Sequence, residues 1–191
     1  MPRNVEIKAR IDSIEALLPL ARDLADGPPE AIAQDDTFFT CAIGRLKLRV
    51  FADGRGELIA YVRPDAAGPK TSDYTIAPVC DPDALRATLA RALGVDGRVV
   101  KQRTLLRVGR TRVHLDRVEG LGDFLELEVV LRDAECADDG IAVAHGLLRT
   151  LRVDATQLVS GAYVDLLRRA DAEPASTAAA RDCRRGICGV G

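Results

Sequence analysis

Three carboxylates at strand spacing open the chemical reading of this chain. In the run RVHLDRVEGLGDFLELEVV, Arg112 to Val130, Asp116 lies in one alternating segment and Glu126 and Glu128 lie in the next, with a short glycine-containing turn between them. Side chains at i and i+2 of a strand share one face, so the two segments can gather three carboxylates on one surface. Like charges that close repel unless a cation sits among them, and a hard divalent ion is the natural counter-charge for oxygen ligands.

The same alternation elsewhere is mostly basic. NVEIKARI sets Asn4, Glu6, Lys8 and Arg10 opposite Val5, Ile7, Ala9 and Ile11. GRLKLRV sets Arg45, Lys47 and Arg49 opposite Leu46, Leu48 and Val50; VVKQRTLLRV aligns Lys101 and Arg103; Arg63 ends the apolar run LIAYVR. An antiparallel sheet with one face in water alternates in this way too. Segregation into basic sets and one acidic set, on strands numerous enough to curl shut, instead suits an enclosed surface that holds a polyphosphate and its metal. Pattern alone leaves both readings open.

Five segments carry a resemblance: NVEIKAR, LKLR, YVRPDAAGPKTSDY, HLDRVEGLGDFLELE and QLVSGAYVDLL, spanning Arg3 to Leu167. Together they resemble the CYTH superfamily, the triphosphate tunnel metalloenzymes, which includes class IV adenylate cyclases, thiamine triphosphatases and inorganic triphosphatases. The resemblance implies an α+β fold, a closed eight-stranded antiparallel β-barrel with a charged lumen and helices packed outside. It further implies Mg²⁺ or Mn²⁺ on Glu6, Asp116, Glu126 and Glu128, and phosphate bound by Lys8, Arg45, Lys47, Arg49, Arg63, Lys70, Lys101, Arg103 and Arg112. Glu6, Lys8 and Arg49 are the expected catalytic residues. The implied substrate is a small molecule with a triphosphate group, and the expected reaction is hydrolysis of a phosphoanhydride bond. The alternatives are a class IV-type cyclase making cyclic AMP and pyrophosphate from ATP, or a non-catalytic nucleotide- or polyphosphate-binding module.

One position departs from the family's Glu-x-Glu-x-Lys opening: here it reads Asn4-Val5-Glu6-Ile7-Lys8. Asparagine offers an amide oxygen to a hard cation but neither charge nor a proton-accepting group. A second metal is therefore expected to bind more weakly than in members with both glutamates. His114 reads as a hydrogen-bonded spacer, Tyr74 and Tyr163 as rings packed on the barrel, and Gly120 and Gly122 as turn residues.

With 191 residues the chain suits one domain, expected over residues 1–170, followed by a disordered Ala/Ser/Arg/Gly-rich tail over 171–191. Aromatics at 4% and the absence of Trp put the core on Leu, Val, Ile and Ala; a net charge of −2 argues against a general nucleic-acid binder. No apolar run suits a bilayer span and no signal peptide is evident, so a cytoplasmic protein without membrane or nucleic-acid partners is expected, with a homodimer unsurprising. Cys41, Cys80, Cys136, Cys183 and Cys188 are scattered as reduced thiols are.

The elements that must position these residues follow from caps and turns. Ser13 caps a helix over Ile14–Ala25 that stops before Gly27-Pro28-Pro29. Strands are expected at Asp36–Cys41, Arg45–Phe51, Glu57–Arg63, Ser72–Ala77, Arg98–Val108, Arg110–Val118 and Phe124–Arg132, the third entered through the Asp53–Gly56 turn. Further helices are expected after Asp81 or Asp83 to Leu93, from Asp138 or Asp139 to Leu151, and over Ser160–Ala170.

Overall fold

Strands with one charged and one apolar face can bury the apolar face outward only if something covers it, and helices do so here. The computed structural model describes residues 3–62 and 69–172. Its strands are β1 (Arg3–Arg10), β2 (Glu30–Phe39), β3 (Arg45–Phe51), β4 (Gly56–Val62), β5 (Lys70–Val79), β6 (Val95–Val108), β7 (Thr111–Val118) and β8 (Gly122–Val130). They close into one antiparallel barrel in the order β1-β5-β4-β3-β2-β6-β7-β8. Helices α1 (Ile14–Leu24), α2 (Pro82–Leu93), α3 (Ala137–Thr150) and α4 (Tyr163–Ala172) lie outside or across one end.

Helices α1 and α2 are each started by a local device. The Ser13 hydroxyl oxygen accepts from the Ala16 N–H at 3.2 Å, and Asp123 at the start of β8 accepts from the Ile14 N–H at 2.9 Å, tying α1 to the barrel. Asp81 caps α2 through the Ala84 N–H at 3.0 Å, with Pro82 at the first helical position, where its missing N–H costs nothing.

The main core lies between barrel and helices rather than inside the barrel. Val5, Ile7 and Ala9 of β1, Val113 and Leu115 of β7, and Leu125, Leu127 and Val129 of β8 pack outward on Leu17 and Ala21 of α1 and Ala144 and Leu148 of α3. Each such leucine, fully buried, contributes about 1.5–3 kcal/mol. A second cluster, Phe38, Val99, Phe124, Ala162, Tyr163 and Val164, joins α4 to the end of the barrel. Gly97 makes that approach possible: a Cβ there would collide with the Val164 side chain.

Strand boundaries differ from the sequence expectation in several places: β6 begins three residues early, at Val95, β8 runs Gly122–Val130 rather than Phe124–Arg132, and β2 and β5 are longer than expected. β2 begins at Glu30, six residues before the expected start, because long β6 pairs with it from Leu105 opposite Glu30 onward. Glu-Ala-Ile-Ala-Gln has weak intrinsic strand preference, so that extension comes from its partners. β5 likewise spans Lys70–Val79, held by β1 and β4 on its two edges. Arg63, the adjoining loop, and Cys183 and Cys188 of the tail lie outside the described residues, whereas Cys41, Cys80 and Cys136 are exposed free thiols. No described helix is long and apolar enough to cross a membrane.

Candidate active site

Strand register decides which charges meet. On β1 and β8, Glu6 is directly opposite Glu128 and Lys8 directly opposite Glu126. On β7 and β8, Arg112 faces Glu128 and His114 faces Glu126. On β6 and β7, Arg103 faces Asp116; on β2 and β3, Asp36 faces Arg49. All these side chains occupy the lumen face, opposite the apolar positions of the outer core.

The lumen encloses a cavity of about 320 Å³. Among the described residues six bases line it (Lys8, Lys47, Arg49, Lys101, Arg103 and Arg112), with four carboxylates, Glu6, Asp36, Glu126 and Glu128. A cavity of this size suits a small-molecule ligand, and its dense charged lining suits a highly charged one. The closed end is made by α4, whose Tyr163 ring stacks edge-on against Phe124 with centroids 5.0 Å apart. Lys8 Nζ lies 3.8 Å and Lys101 Nζ 5.0 Å from the centre of that ring, and the Tyr163 hydroxyl donates to Asp116 Oδ2 at 2.9 Å.

The charges neutralise one another in local groups. Arg103 Nη2 donates to Glu126 at 2.8 Å, and Lys8 Nζ lies 3.7 Å from the same carboxylate. Arg112 Nε donates to Glu128 at 2.6 Å. Lys47 and Arg49 both bond Asp36. Burial pushes Lys47 down to about 8 and Lys101 down to about 7, with the neighbouring guanidiniums adding to the effect and the carboxylates opposing it. Burial alone would raise Asp36, Asp116, Glu126 and Glu128, but the Lys and Arg charges around them win, so all four stay below the usual carboxylate range. Burial also lowers His114 to about 3, so its 4.0 Å approach to Glu128 is not an ion pair at neutral pH.

Most residues singled out in the sequence converge on this cavity: Glu6, Lys8, Lys47, Arg49, Lys101, Arg103, Arg112, Glu126 and Glu128. Three do not present the expected picture. Arg45 sits outside the lining, where its Nη2 donates to Asp165 of α4 at 2.7 Å. Asp116 is wholly buried beneath Arg103, Lys101 and Tyr163 and is not part of the lining. Lys70 has its backbone opposite Glu6, at the start of β5. One contributor was missed, and a second was read chiefly as packing. Asp36 follows the alternation Gln34, Asp36, Phe38, but the Asp35-Asp36 doublet hides which of the two faces inward. Tyr163 belongs to the site as well as to the packing of the barrel end.

The residues fit a hard divalent cation by donor type. Glu6, Glu126 and Glu128 offer carboxylate oxygens from adjacent strands, and Asn4 Oδ1, two residues before Glu6 on the same face, is buried with no hydrogen-bond partner. Among the described residues no three acidic, histidine or cysteine side chains are yet gathered into one coordination shell. Glu126 and Glu128 are held by bases, so an ion must exchange places with Arg103, Lys8 and Arg112.

The site is thus a closed barrel whose lumen carries cationic side chains and carboxylates together, with α4 packed across one end. The CYTH domain profile matches residues 2–163, and the chain belongs to that family. It is 25% identical over 168 residues to adenylate cyclase CyaB of Aeromonas hydrophila, covering 84% of this chain and 86% of the relative. Among solved structures, PH1012 from Pyrococcus horikoshii OT3 superposes with a TM-score of 0.76 at 22% identity, over 86% of this chain and 99% of that one. HpAC1 from Hippeastrum, described as an adenylyl cyclase with a dominant triphosphatase activity, superposes with a TM-score of 0.60 at 17% identity, over 87% and 95% of the two chains.

Proposed function

We propose that this chain is a divalent-metal-dependent enzyme that hydrolyses a phosphoanhydride bond in a triphosphate substrate. The observation carrying the reading is the lumen itself: six bases and four carboxylates on one enclosed surface of about 320 Å³. A triphosphate is the ligand that satisfies both sets at once. Its oxygens take the bases away from Glu126 and Glu128, and the released carboxylates, with Glu6 and Asn4, are then available to Mg²⁺ or Mn²⁺. Bound there, the ion would supply Lewis-acid neutralisation of charge on the phosphate oxygens.

The chain's own residues do the rest. Arg49 and Arg103, gripped through Nε and Nη2 by Asp36 and Asp116, keep their Nη1 amino groups for phosphate oxygens, and Lys8, Lys47 and Lys101 act as compact point charges. Burial keeps water from screening them, so each interaction is stronger than it would be at a surface. Because Lys47, Arg49, Lys101 and Arg103 stay fixed by Asp36 and Asp116, they need little reorganisation as charge develops in the transition state. Glu6 helps to hold the ion or orients the attacking nucleophile, and Arg112, beside Glu128, adds a sixth base to the lining.

The Aeromonas hydrophila relative, an adenylate cyclase, supports a second reading in which the 3′-hydroxyl of ATP attacks the α-phosphorus and pyrophosphate departs. The Hippeastrum protein supports the hydrolytic one. Incubating the purified chain with ATP, inorganic triphosphate or thiamine triphosphate plus Mg²⁺ or Mn²⁺, and resolving products by chromatography, separates them. Orthophosphate is the expected product; cyclic AMP with pyrophosphate identifies the cyclase, and binding without turnover refutes both.

A further inference from the structure

Two carboxylates of the barrel occupy matching stations. On β3, Lys47 and Arg49 stand two residues apart, and Asp36 lies directly opposite Arg49 on β2. Asp36 accepts from Arg49 Nε at 2.8 Å and Nη2 at 2.9 Å, and from Lys47 Nζ at 2.8 Å. On β6, Lys101 and Arg103 stand two residues apart, and Asp116 lies directly opposite Arg103 on β7. Asp116 accepts from Arg103 Nε and Nη2, both at 2.6 Å, and from Lys101 Nζ at 3.4 Å. The same donor atoms meet the same acceptor group in the same register, on two sides of one barrel.

We infer that Asp36 and Asp116 are a matched pair of positioning residues, each holding one Lys-x-Arg pair in place for the phosphate chain, and that neither is a metal ligand. For Asp116 the geometry is decisive. Its oxygens already receive four donors, Arg103 Nε on Oδ1 and Arg103 Nη2, Lys101 Nζ and the Tyr163 hydroxyl on Oδ2, so a cation would have to displace the bases that enclose it. It is 0% exposed and lies outside the cavity lining that includes Glu6, Glu126 and Glu128. Bidentate pairing through Nε and Nη2 fixes each guanidinium plane and leaves its Nη1 amino group outside the carboxylate pair, to serve another anion. A Lys-x-Arg pair without its aspartate would keep its charge but lose its aim.

This inference rests on the proposed function for the identity of the anion, and its test separates the two. The probes are Mn²⁺, followed by electron paramagnetic resonance, and the bismethylene analogue of inorganic triphosphate, which is not cleaved. Asp36→Asn and Asp116→Asn should leave Mn²⁺ affinity within about twofold of wild type, whereas Glu126→Gln should weaken it at least about tenfold. Both aspartate variants should bind the analogue within a few-fold of wild type, since the bases and their charge remain. Their kcat should fall by about a hundredfold, the cost of misplacing a reacting group by about an ångström.

A measurement on the unaltered protein guards against misfolding of either variant. With the analogue present, Mg²⁺ should shift the carboxyl carbon resonances of Glu126 and Glu128 and leave that of Asp116 in place. A Mg²⁺-dependent shift at Asp116 equal to that at Glu126, or a tenfold loss of Mn²⁺ affinity in Asp116→Asn, overturns the inference alone. If the wild-type protein responds to neither ion nor analogue, the proposed function falls with it.

Discussion

His114 offers a stability experiment whose outcome is set first by burial, with Arg103 adding to it and the nearby carboxylates opposing. The imidazole is enclosed in the lumen, its Nδ1 has no hydrogen-bond partner, and its pKa is pushed from 6.5 down to about 3. Between those values the unfolded chain binds a proton that the folded chain refuses. The stability this group contributes is therefore full above pH 6.5 and is lost as pH falls toward 3. At pH 5 the difference amounts to about 2 kcal/mol, from about 1.4 kcal/mol per unit of pKa over the part of the window already crossed. The perturbation is His114→Gln, which keeps a polar side chain and removes the titration. Urea unfolding at pH 7 and pH 5 gives the stability of each form, and groups common to both cancel in the comparison. Wild type should lose about 2 kcal/mol more than the variant over this interval. Equal losses would show that the folded lumen accepts the proton, and the assignment of a neutral His114 would fail.

Four further outcomes are expected. Gly97→Val, which drives a side chain into Val164, should destabilise by about 1–3 kcal/mol and lower the thermal midpoint. Asn4→Glu should shift the Mn²⁺ titration of activity to lower concentration, because it adds a charged oxygen ligand beside Glu6; an unchanged titration would refute a metal role for position 4. Lys101, held near 7 by burial and adjacent guanidiniums, loses its proton as pH rises past neutrality, so affinity for the bismethylene triphosphate should fall between pH 6.5 and 9. Lys101→Arg should flatten the lower part of that fall, as measured by calorimetric titration. Glu126→Gln should lower turnover by about a hundredfold in a product assay, and retained activity would remove it from the metal set.

The strands and their charged face were legible because two-residue alternation is the direct imprint of a pleated strand, and Arg112 to Val130 carries it on both sides of one short turn. The resemblance added closure and the roles of individual bases. Where the sequence reading fell short, tertiary partners set the outcome. The Ala-rich start of β2 becomes strand only because β6 lies alongside it. Asp36 escaped notice because two adjacent aspartates give no parity signal, and register against β3 picks the second. Arg45 shares a face with Lys47 and Arg49 yet stands at the end of its strand, where Asp165 of α4 draws it aside. Asp116 shares a face with His114 but is roofed by Tyr163, a contact that a sequence separation of 47 conceals.

Placing the greasy packing on the exterior wall has an evolutionary corollary. Leu127, Val113 and Ile7 stabilise the fold from the side that no substrate touches, while their strand neighbours inside contribute mainly polar contacts. Substitutions in the channel therefore alter chemistry with little penalty from lost apolar burial, provided that each ionic partner is matched. One shell of this kind can thus drift from splitting an anhydride to closing a ring, because the parts that specify the reaction and the parts that keep the chain folded sit on opposite faces of the same strands.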